Sequence, residues 1–434
     1  MIIYLFSILL IGIIYSKHTS INDYIFSSRK VTIPSFIATF VTTWYGGILE
    51  IGRFTFYNGI VTWFIFGFFY YISAFLFLKL FSSKIHKNNI DSIPGYFHKY
   101  LGNRSGFFAS IIVLLLSSPA PYLMIFSTIF IHVYNIPFNY AVLIGMLFSV
   151  SYLVLGGFRS IIRTDKIQFV LMYLGFVVVF FHLYSNYGGI SFLQNNLPAN
   201  HLSPFSKLPI GYILSWSVIS MITFIDPNIY QRIYVAKDKK TIKSGVLLSI
   251  CFWIVFDFLT VAVGLYAAAI IPASELSGSP YLILSNMILP PFLQILFIIS
   301  LLSIVMSTID SFTFTSAITI AKEFKKGKTT VTDIRIGLFI TCIASFVIVT
   351  NFKNVIDIWY LFGSLGASSL LVPFFMLINK PKIKAKDPLK ILLIPFIVCG
   401  LWFYMNNPYG IDCLYIGILV SLFMNFYSFQ TKHS

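Results

Sequence analysis

The sequence predicts an all-α integral membrane protein of about thirteen transmembrane helices, and three observations lead there. The chain is 58% hydrophobic and 10% charged, with a mean hydropathy of +0.86, whereas a soluble domain carries about 25% charged residues. Apolar runs of roughly the 20 residues needed to cross a bilayer recur from end to end. The basic residues fall in alternate connections, as the positive-inside rule requires.

In chain order the predicted helices are 1–16, 34–57, 60–81, 105–133, 137–156, 163–185, 209–228, 243–271, 290–321, 335–352, 355–379, 390–405 and 409–427. The first run, Met1 to Ser16, is short. It has no basic n-region and no small-residue cleavage site, so no signal peptide is expected. Its first charge, Lys17, follows it and puts the N-terminus outside. Helix 34–57 holds Trp44-Tyr45-Gly46-Gly47, and paired glycines weaken a helix by about 1 kcal/mol each. Freed carbonyls at such a point are tolerated in a membrane only where they are buried or line a cavity. The next four runs are uninterrupted. The Asn/Gly/Pro-rich, nearly uncharged stretch 186–208 reads as an exposed outer connection. Helix 209–228 is interrupted near its end at Thr223-Phe-Ile-Asp226-Pro227, where proline breaks the hydrogen-bond ladder. The remaining six runs are joined by short connections; 82–104 and 229–242 are the longest inner loops, and 186–208 and 272–289 the longest outer ones.

With this orientation all but three of the 30 Lys and Arg residues lie on the inner side, the exceptions being Arg53, Lys207 and Lys353. The reverse orientation would expose nearly all of the positive charge outside. The C-terminus is therefore expected in the cytoplasm. The net charge of +16 needs no nucleic-acid partner. No soluble domain is visible, so 1–434 reads as one transmembrane domain. The count fits an inverted five-plus-five core, 34–185 and 209–379, with 1–33 and 390–427 peripheral. Interrupted helices in matching places of two such halves are the best sequence pointer to a binding site.

Residues 303–320 carry the chemistry that stands out. Ser303, Ser307, Thr308, Ser311, Thr313, Thr315, Ser316 and Thr319 form a hydroxyl ladder around Asp310 within an apolar run. An Asp near the bilayer centre costs roughly 2.5–3.5 kcal/mol on insertion scales, and a ladder of oxygens without basic partners suggests a small cation. Cys251, Cys342, Cys399 and Cys413 stand singly in apolar segments and read as free buried thiols. His132 and His182 sit near outer helix ends without a metal pattern. No P-loop, HExxH, GxSxG or paired-carboxylate loop occurs. ATP is not expected to act directly, and an enzyme is not expected.

Four segments in order give the chain a resemblance to the sodium:solute symporter family, which includes sodium–glucose, sodium–proline and sodium–iodide transporters. They are Thr43-Trp44-Tyr45-Gly46-Gly47; Gly156-Gly157-Phe158-Arg159 with Arg163-Thr164-Asp165-Lys166-Ile167-Gln168; Asp226-Pro227-Asn228-Ile229-Tyr230-Gln231-Arg232 with Ala236-Lys237; and Met306-Ser307-Thr308-Ile309-Asp310-Ser311. The resemblance spans nearly the whole chain. It implies the fold of the sodium-coupled leucine transporter type. It also implies a Na⁺ site between the broken first core helix and the eighth, with hydroxyls from Ser307 and Thr308 and carbonyls from Thr42, Tyr45 and Ile304. Carbonyls of an unwound helix plus hydroxyls give a hard cation about five oxygens without a fixed negative charge.

Further candidates for solute binding or coupling are Trp44, Glu50, Asp165, Gln168, Asp226 and Asp310. For Asp310 three roles stand open: a second cation site, a proton carrier, or a partner for Arg53, read as the one Arg or Lys inside a helix. Glu50 is the nearer partner for Arg53, since residues i and i+3 neighbour on a helix. Asp165 is expected at the cytoplasmic mouth of its helix, with Gln168 one turn on. There it either influences cation coupling, as the family's Asp does, or pairs with Arg163 or Lys166. Asp226 either favours a solute amine or caps the helix beginning at Pro227. The positions that bind sugar hydroxyls in relatives fall on Trp44 and Leu49, which argues against a hexose. The implied function is Na⁺-coupled uptake of a small organic solute across a bacterial cytoplasmic membrane. Na⁺ is the coupling ion, the solute and membrane lipid are the partners, and no obligate protein partner is inferred. A proton-coupled transporter, and a transporter-like sensor or scaffold, are the alternatives.

Overall fold

Backbone N–H and C=O groups find no water inside a bilayer, so a spanning chain that forms no closed barrel must satisfy them within helices. The computed structural model of this chain follows that rule. It describes residues 1–14, 20–87, 90, 92–205, 208–276, 278–325, 328–379 and 387–430. Lys17, Lys207, Lys326, Lys380, Lys382, Lys384, Lys386 and Lys432, which count in the charge asymmetry, lie outside the described residues. Among the described residues there is no strand, only an isolated bridge between Val31 and Ala236.

The main helices are α1 (Ile2–Ile14), α2 (Ile33–Thr42), α3 (Ile48–Asn58), α4 (Val61–Leu80), α5 (Asn103–Leu116), α6 (Ala120–Tyr134), α7 (Phe138–Gly156) and α8 (Phe158–Tyr187). The second half continues with α9 (Ile210–Ile219), α10 (Pro227–Val235), α11 (Lys239–Ile270), α12 (Pro291–Phe324), α13 (Val331–Asn351), α14 (Val355–Asn379), α15 (Lys390–Tyr404) and α16 (Cys413–Gln430). Nine helical stretches among the described residues are long and apolar enough to cross a membrane, with α5–α6 and Ile210–Val235 each counted as one. The shorter apolar helices Ile2–Ile14, Ile33–Thr42, Lys390–Tyr404 and Cys413–Ser428 stand where the other predicted runs lie.

Several boundaries differ from the sequence reading. The run 105–133 is not one helix. It parts at Ser117-Ser118-Pro119, where proline offers no N–H and the Ala120 N–H donates instead to Ser118 Oγ at 3.3 Å. Helix 163–185 begins five residues earlier, at Phe158, because Gly157 takes φ +56° and lets the chain turn straight from α7 into α8. Beyond Pro227 the helix resumes and runs to Val235, past the predicted end at 228. The long loops hold short helices of their own: Ser82–Lys87, Ile93–Leu101, Ile190–Asn196 and Pro280–Ile288. Asp238 caps α11 by accepting from the Thr241 N–H at 2.7 Å, a bond that holds its carboxyl below the usual range. Cys251 is exposed rather than buried, and all four cysteines are free.

Helix α12 is the central post. Every residue from Ser300 to Ala321 is buried, so it is enclosed by protein all round rather than presenting one face to lipid. α8 lies along it in the most extensive helix pair of the molecule, and α13, α6 and α5 flank it. Small residues set these distances: a Cβ at Gly175 would fall 2.3 Å from Ser300, and one at Gly337 would fall 2.4 Å from the Ala317 carbonyl. α2 packs between α8 and α11, which brings its C-terminal end against the hydroxyl ladder of α12.

Candidate functional site

The break between α2 and α3 is made by residues 43–47. It requires glycine because it is pressed against two large neighbours. A Cβ on Gly46 would sit 2.6 Å from the Thr308 side chain, and one on Gly47 would sit 1.9 Å from Trp359. The freed backbone therefore meets α12 at the hydroxyl pair. Thr308 Oγ1 lies 3.4 Å from the Thr42 carbonyl, 3.1 Å from that of Thr43 and 3.2 Å from that of Ile304. Its single proton serves one of these oxygens. Ser307 Oγ lies 2.8 Å from Thr42 Oγ1, whose own proton is drawn to the Ala38 carbonyl at 2.9 Å. Thr42, Ile304, Ser307 and Thr308 are thus brought together, with the Thr43 carbonyl added. Among the described residues no side-chain hydrogen bond reaches the Tyr45 carbonyl, the fifth expected ligand, while the Tyr45 phenol donates to the Trp253 carbonyl at 3.1 Å.

Asp165 is not exposed at the mouth of its helix. It is fully buried and accepts from Ser307 Oγ at 2.6 Å. Among the described residues its second oxygen has no hydrogen-bond partner. The cause lies in the helix phase of α8: residues 164, 165 and 168 face inward, while 163, 166 and 167 are exposed. The oxygen cluster therefore includes a carboxylate, contrary to the neutral set expected. Nor is Arg53 the only basic residue within a helix. Arg232, counted in sequence as an inner-loop charge, is 1% exposed in α10. Its Nη2 lies 3.1 Å from Thr39 Oγ1, 2.6 Å from Thr43 Oγ1 and 2.5 Å from Ser311 Oγ. Its guanidinium lies 5.2 Å from the centre of the Phe158 ring. Arg232 and Asp165 lie within each other's electrostatic reach.

Among the described residues no base pairs with Asp310. Ser149 and Tyr152 of α7 donate one hydroxyl to each of its oxygens. Close by, Ser303 donates to the Tyr4 phenol at 2.9 Å, joining α1 to the core. Gln168 is fully buried, and among the described residues both ends of its amide are unpartnered. Glu50 and Arg53 share the wall of a separate cavity with Lys353. Among the described residues no ion pair joins them, and Glu50 Oε2 is unpartnered. His132 lies within hydrogen-bond distance of Asn286 and His182 of Asn186. Among the described residues no group of three His, Cys, Asp or Glu side chains is placed to hold a metal.

Beside the break lies a cavity of about 170 Å³. Trp44, Tyr70, Tyr122 and Trp359 line it, as do Asp226 and Asp257. Asp226 also caps α10, accepting from the Asn228 N–H at 2.7 Å, so both roles foreseen for it are geometrically open. Asp257 was missed by the sequence reading. The signal was available: it is a lone carboxylate in the apolar run 243–271, the same criterion that singled out Asp310.

Residues 24–377 match the sodium:solute symporter family. A sodium/proline symporter of Haemophilus influenzae is 24% identical over 360 residues, covering 75% of this chain and 70% of the relative. A sodium/pantothenate symporter of the same organism is 24% identical over 184 residues, covering 41% of this chain and 38% of that protein. Among solved structures, a Na⁺-coupled sialic acid symporter in a substrate-bound outward-open state superposes with a TM-score of 0.80 at 17% identity, covering 98% of this chain and 95% of the other. That likeness carries the fold, which is the leucine-transporter type of sodium symporters. These relatives are transporters, not enzymes. A match that opens at Tyr24 and closes at Leu377 takes in the helices that build the oxygen cluster and the cavity, and this chain belongs to the sodium:solute symporter family.

Proposed function

We propose that this protein couples inward Na⁺ movement to uptake of a small organic solute by alternating access. The observation that carries the reading is the Thr308 hydroxyl among the carbonyls of Thr42, Thr43 and Ile304, where a broken helix meets the central post. The proposed Na⁺ ligands are Ser307 and Thr308 through their hydroxyls, and Thr42, Tyr45 and Ile304 through their carbonyls. Asp165 lies one hydrogen bond away through Ser307. A hard cation takes oxygen ligands of this kind, and irregular backbone at membrane depth supplies them. Na⁺ bound here ties α2 to α12 and so biases one conformation over the other. It can do so only by as much as its affinities for the two differ.

In this reading thirteen helices cross a bacterial cytoplasmic membrane, N-terminus outside and C-terminus inside, with residues 34–185 and 209–379 as inverted repeats. One Na⁺ descending a potential gains about 2.3 kcal/mol per 100 mV, enough to concentrate a neutral solute by tens-fold. Thr308→Ala in reconstituted vesicles is expected to lower apparent Na⁺ affinity about ten-fold or more while leaving insertion intact. An unchanged Na⁺ dependence would remove Thr308 from the site. Proton coupling is the second reading, and the buried carboxylate of Asp165 beside Ser307 favours it. Uptake that persists without Na⁺ and follows a pH gradient would establish it instead.

A further inference from the structure

The cavity beside the helix break has an unusual balance of charge. Two of its lining residues are carboxylates, Asp226 and Asp257, and none is Lys, Arg or His. Asp257 is the more telling of the two, because Asp226 already lies within electrostatic reach of Arg232. It is 7% exposed. The Tyr71 hydroxyl donates to one of its oxygens, and among the described residues no basic side chain pairs with it. Gly67 makes room for that contact: a Cβ there would fall 2.9 Å from Asp257 Oδ2 and 2.7 Å from the Tyr71 hydroxyl. Gly67 itself lies in a π-helical turn, Phe64–Phe68, a distortion that concentrates at functional sites. A buried charge is retained where a counter-charge meets it. Here no described residue supplies one, while the cavity opens onto the acid.

The walls point to the same ligand chemistry. Trp44 and Tyr70 meet edge to face at 5.0 Å, and Tyr122 and Trp359 lie 6.1 Å apart. Aromatic faces attract a cation, most strongly where water is excluded. The indole N–H of Trp216, 2% exposed in the same lining, finds no acceptor among the described residues and leaves a donor for a ligand hydroxyl. The volume of about 170 Å³ holds about one ring, since a cavity of about 150 Å³ takes up benzene.

We propose that the solute is a small organic cation, an amine or ammonium on a ring-sized apolar or aromatic body, with Asp257 as its charge partner and Asp226 adding to the negative field. This rests on the cavity being the solute site of the proposed symporter. The test is thermal stabilisation of the purified full-length protein by ligands matched in size and differing in charge. Tyramine, 2-phenylethylamine and choline are the cations, 3-phenylpropionate the anion, and phenylalanine and proline the zwitterions, each with and without Na⁺.

The expected result is that a cation raises the melting temperature at concentrations ten-fold or more below those at which the anion and zwitterions act. Asp257→Asn should abolish that selectivity while keeping its own Na⁺-induced stabilisation, which shows that it is folded. Asp226→Asn should weaken it less. An anion or zwitterion acting as well as the cations, no response to any cation, or unchanged amine binding in Asp257→Asn would overturn the proposal. So would loss of the Na⁺ response alone in Asp257→Asn, since Asp257 would then serve the ion. Amine binding that is lost in Asp257→Asn but unaffected by Na⁺ in wild type would uphold the amine site and count against Na⁺ coupling.

Discussion

Two buried residues, Asp165 and Arg232, decide how the oxygen cluster is balanced. Ser307 and Thr308 were legible in sequence as an adjacent hydroxyl pair in an apolar helix. Asp165 was read as exposed because its neighbours Arg163 and Lys166 are basic, and a charged segment reads as a helix mouth. The 3.6-residue period instead turns 165 inward while 163 and 166 face out. Arg232 was hidden for a similar reason, lying after a proline that reads as a helix end. In the fold its Nη2 reaches Thr39 on α2, Thr43 in the break and Ser311 on α12 together. Among the described residues Arg232 and Asp165 form no direct ion pair, but each lies within the other's electrostatic reach, and a hydrogen bond from a charged group is worth about 1.5–3 kcal/mol. Arg232→Met, which removes that charge and its bonds to buried hydroxyls, should therefore destabilise the protein by about 2 kcal/mol or more. Adding Asp165→Asn to it should recover part of the loss. Unfolding of the single and double variants in detergent checks this, and strictly additive effects would show that the two charges are not coupled.

At the scale of elements, three interruptions shape the centre of the molecule, and two were legible. Gly46-Gly47 and Asp226-Pro227 announce themselves by composition. The break at Ser117–Pro119 did not, because proline inside a membrane helix is common and the flanking apolar runs join into one long span. The glycine pair is needed for close approach, and its φ values are ordinary: Gly47 has φ −83°. Gly46→Ala would drive a methyl into Thr308 at 2.6 Å and Tyr122 at 2.5 Å. It should shift the break away from α12, lowering both melting temperature and apparent Na⁺ affinity. Gly211→Ala in α9 meets nothing within 4 Å and should change the melting temperature by less than about 2 °C, as surface substitutions usually stay within about 0.5 kcal/mol. Equal effects of the two would remove close packing as the reason for Gly46.

For the whole molecule, the proposed membrane orientation rests on charge placement, and impermeant thiol labelling tests it. In intact cells Tyr409→Cys, 94% exposed in the connection between α15 and α16, should react. Lys240→Cys, exposed at the start of α11, should react only after permeabilisation, with Cys251→Ser removing the exposed native thiol from both. The reverse pattern would invert the topology. The sequence by itself determined the membrane class, the approximate helix runs, the charge asymmetry and the hydroxyl pair. These are properties of composition and of local period, which each segment carries alone. Only the tertiary structure decided that Asp165 and Arg232 join the site, that Asp310 is held by Ser149 and Tyr152, and that Asp226 and Asp257 face one aromatic cavity. Those facts depend on which faces of helices distant in sequence are packed together. In a chain apolar on nearly every face, hydropathy does not specify that choice; glycine contacts and buried polar groups do.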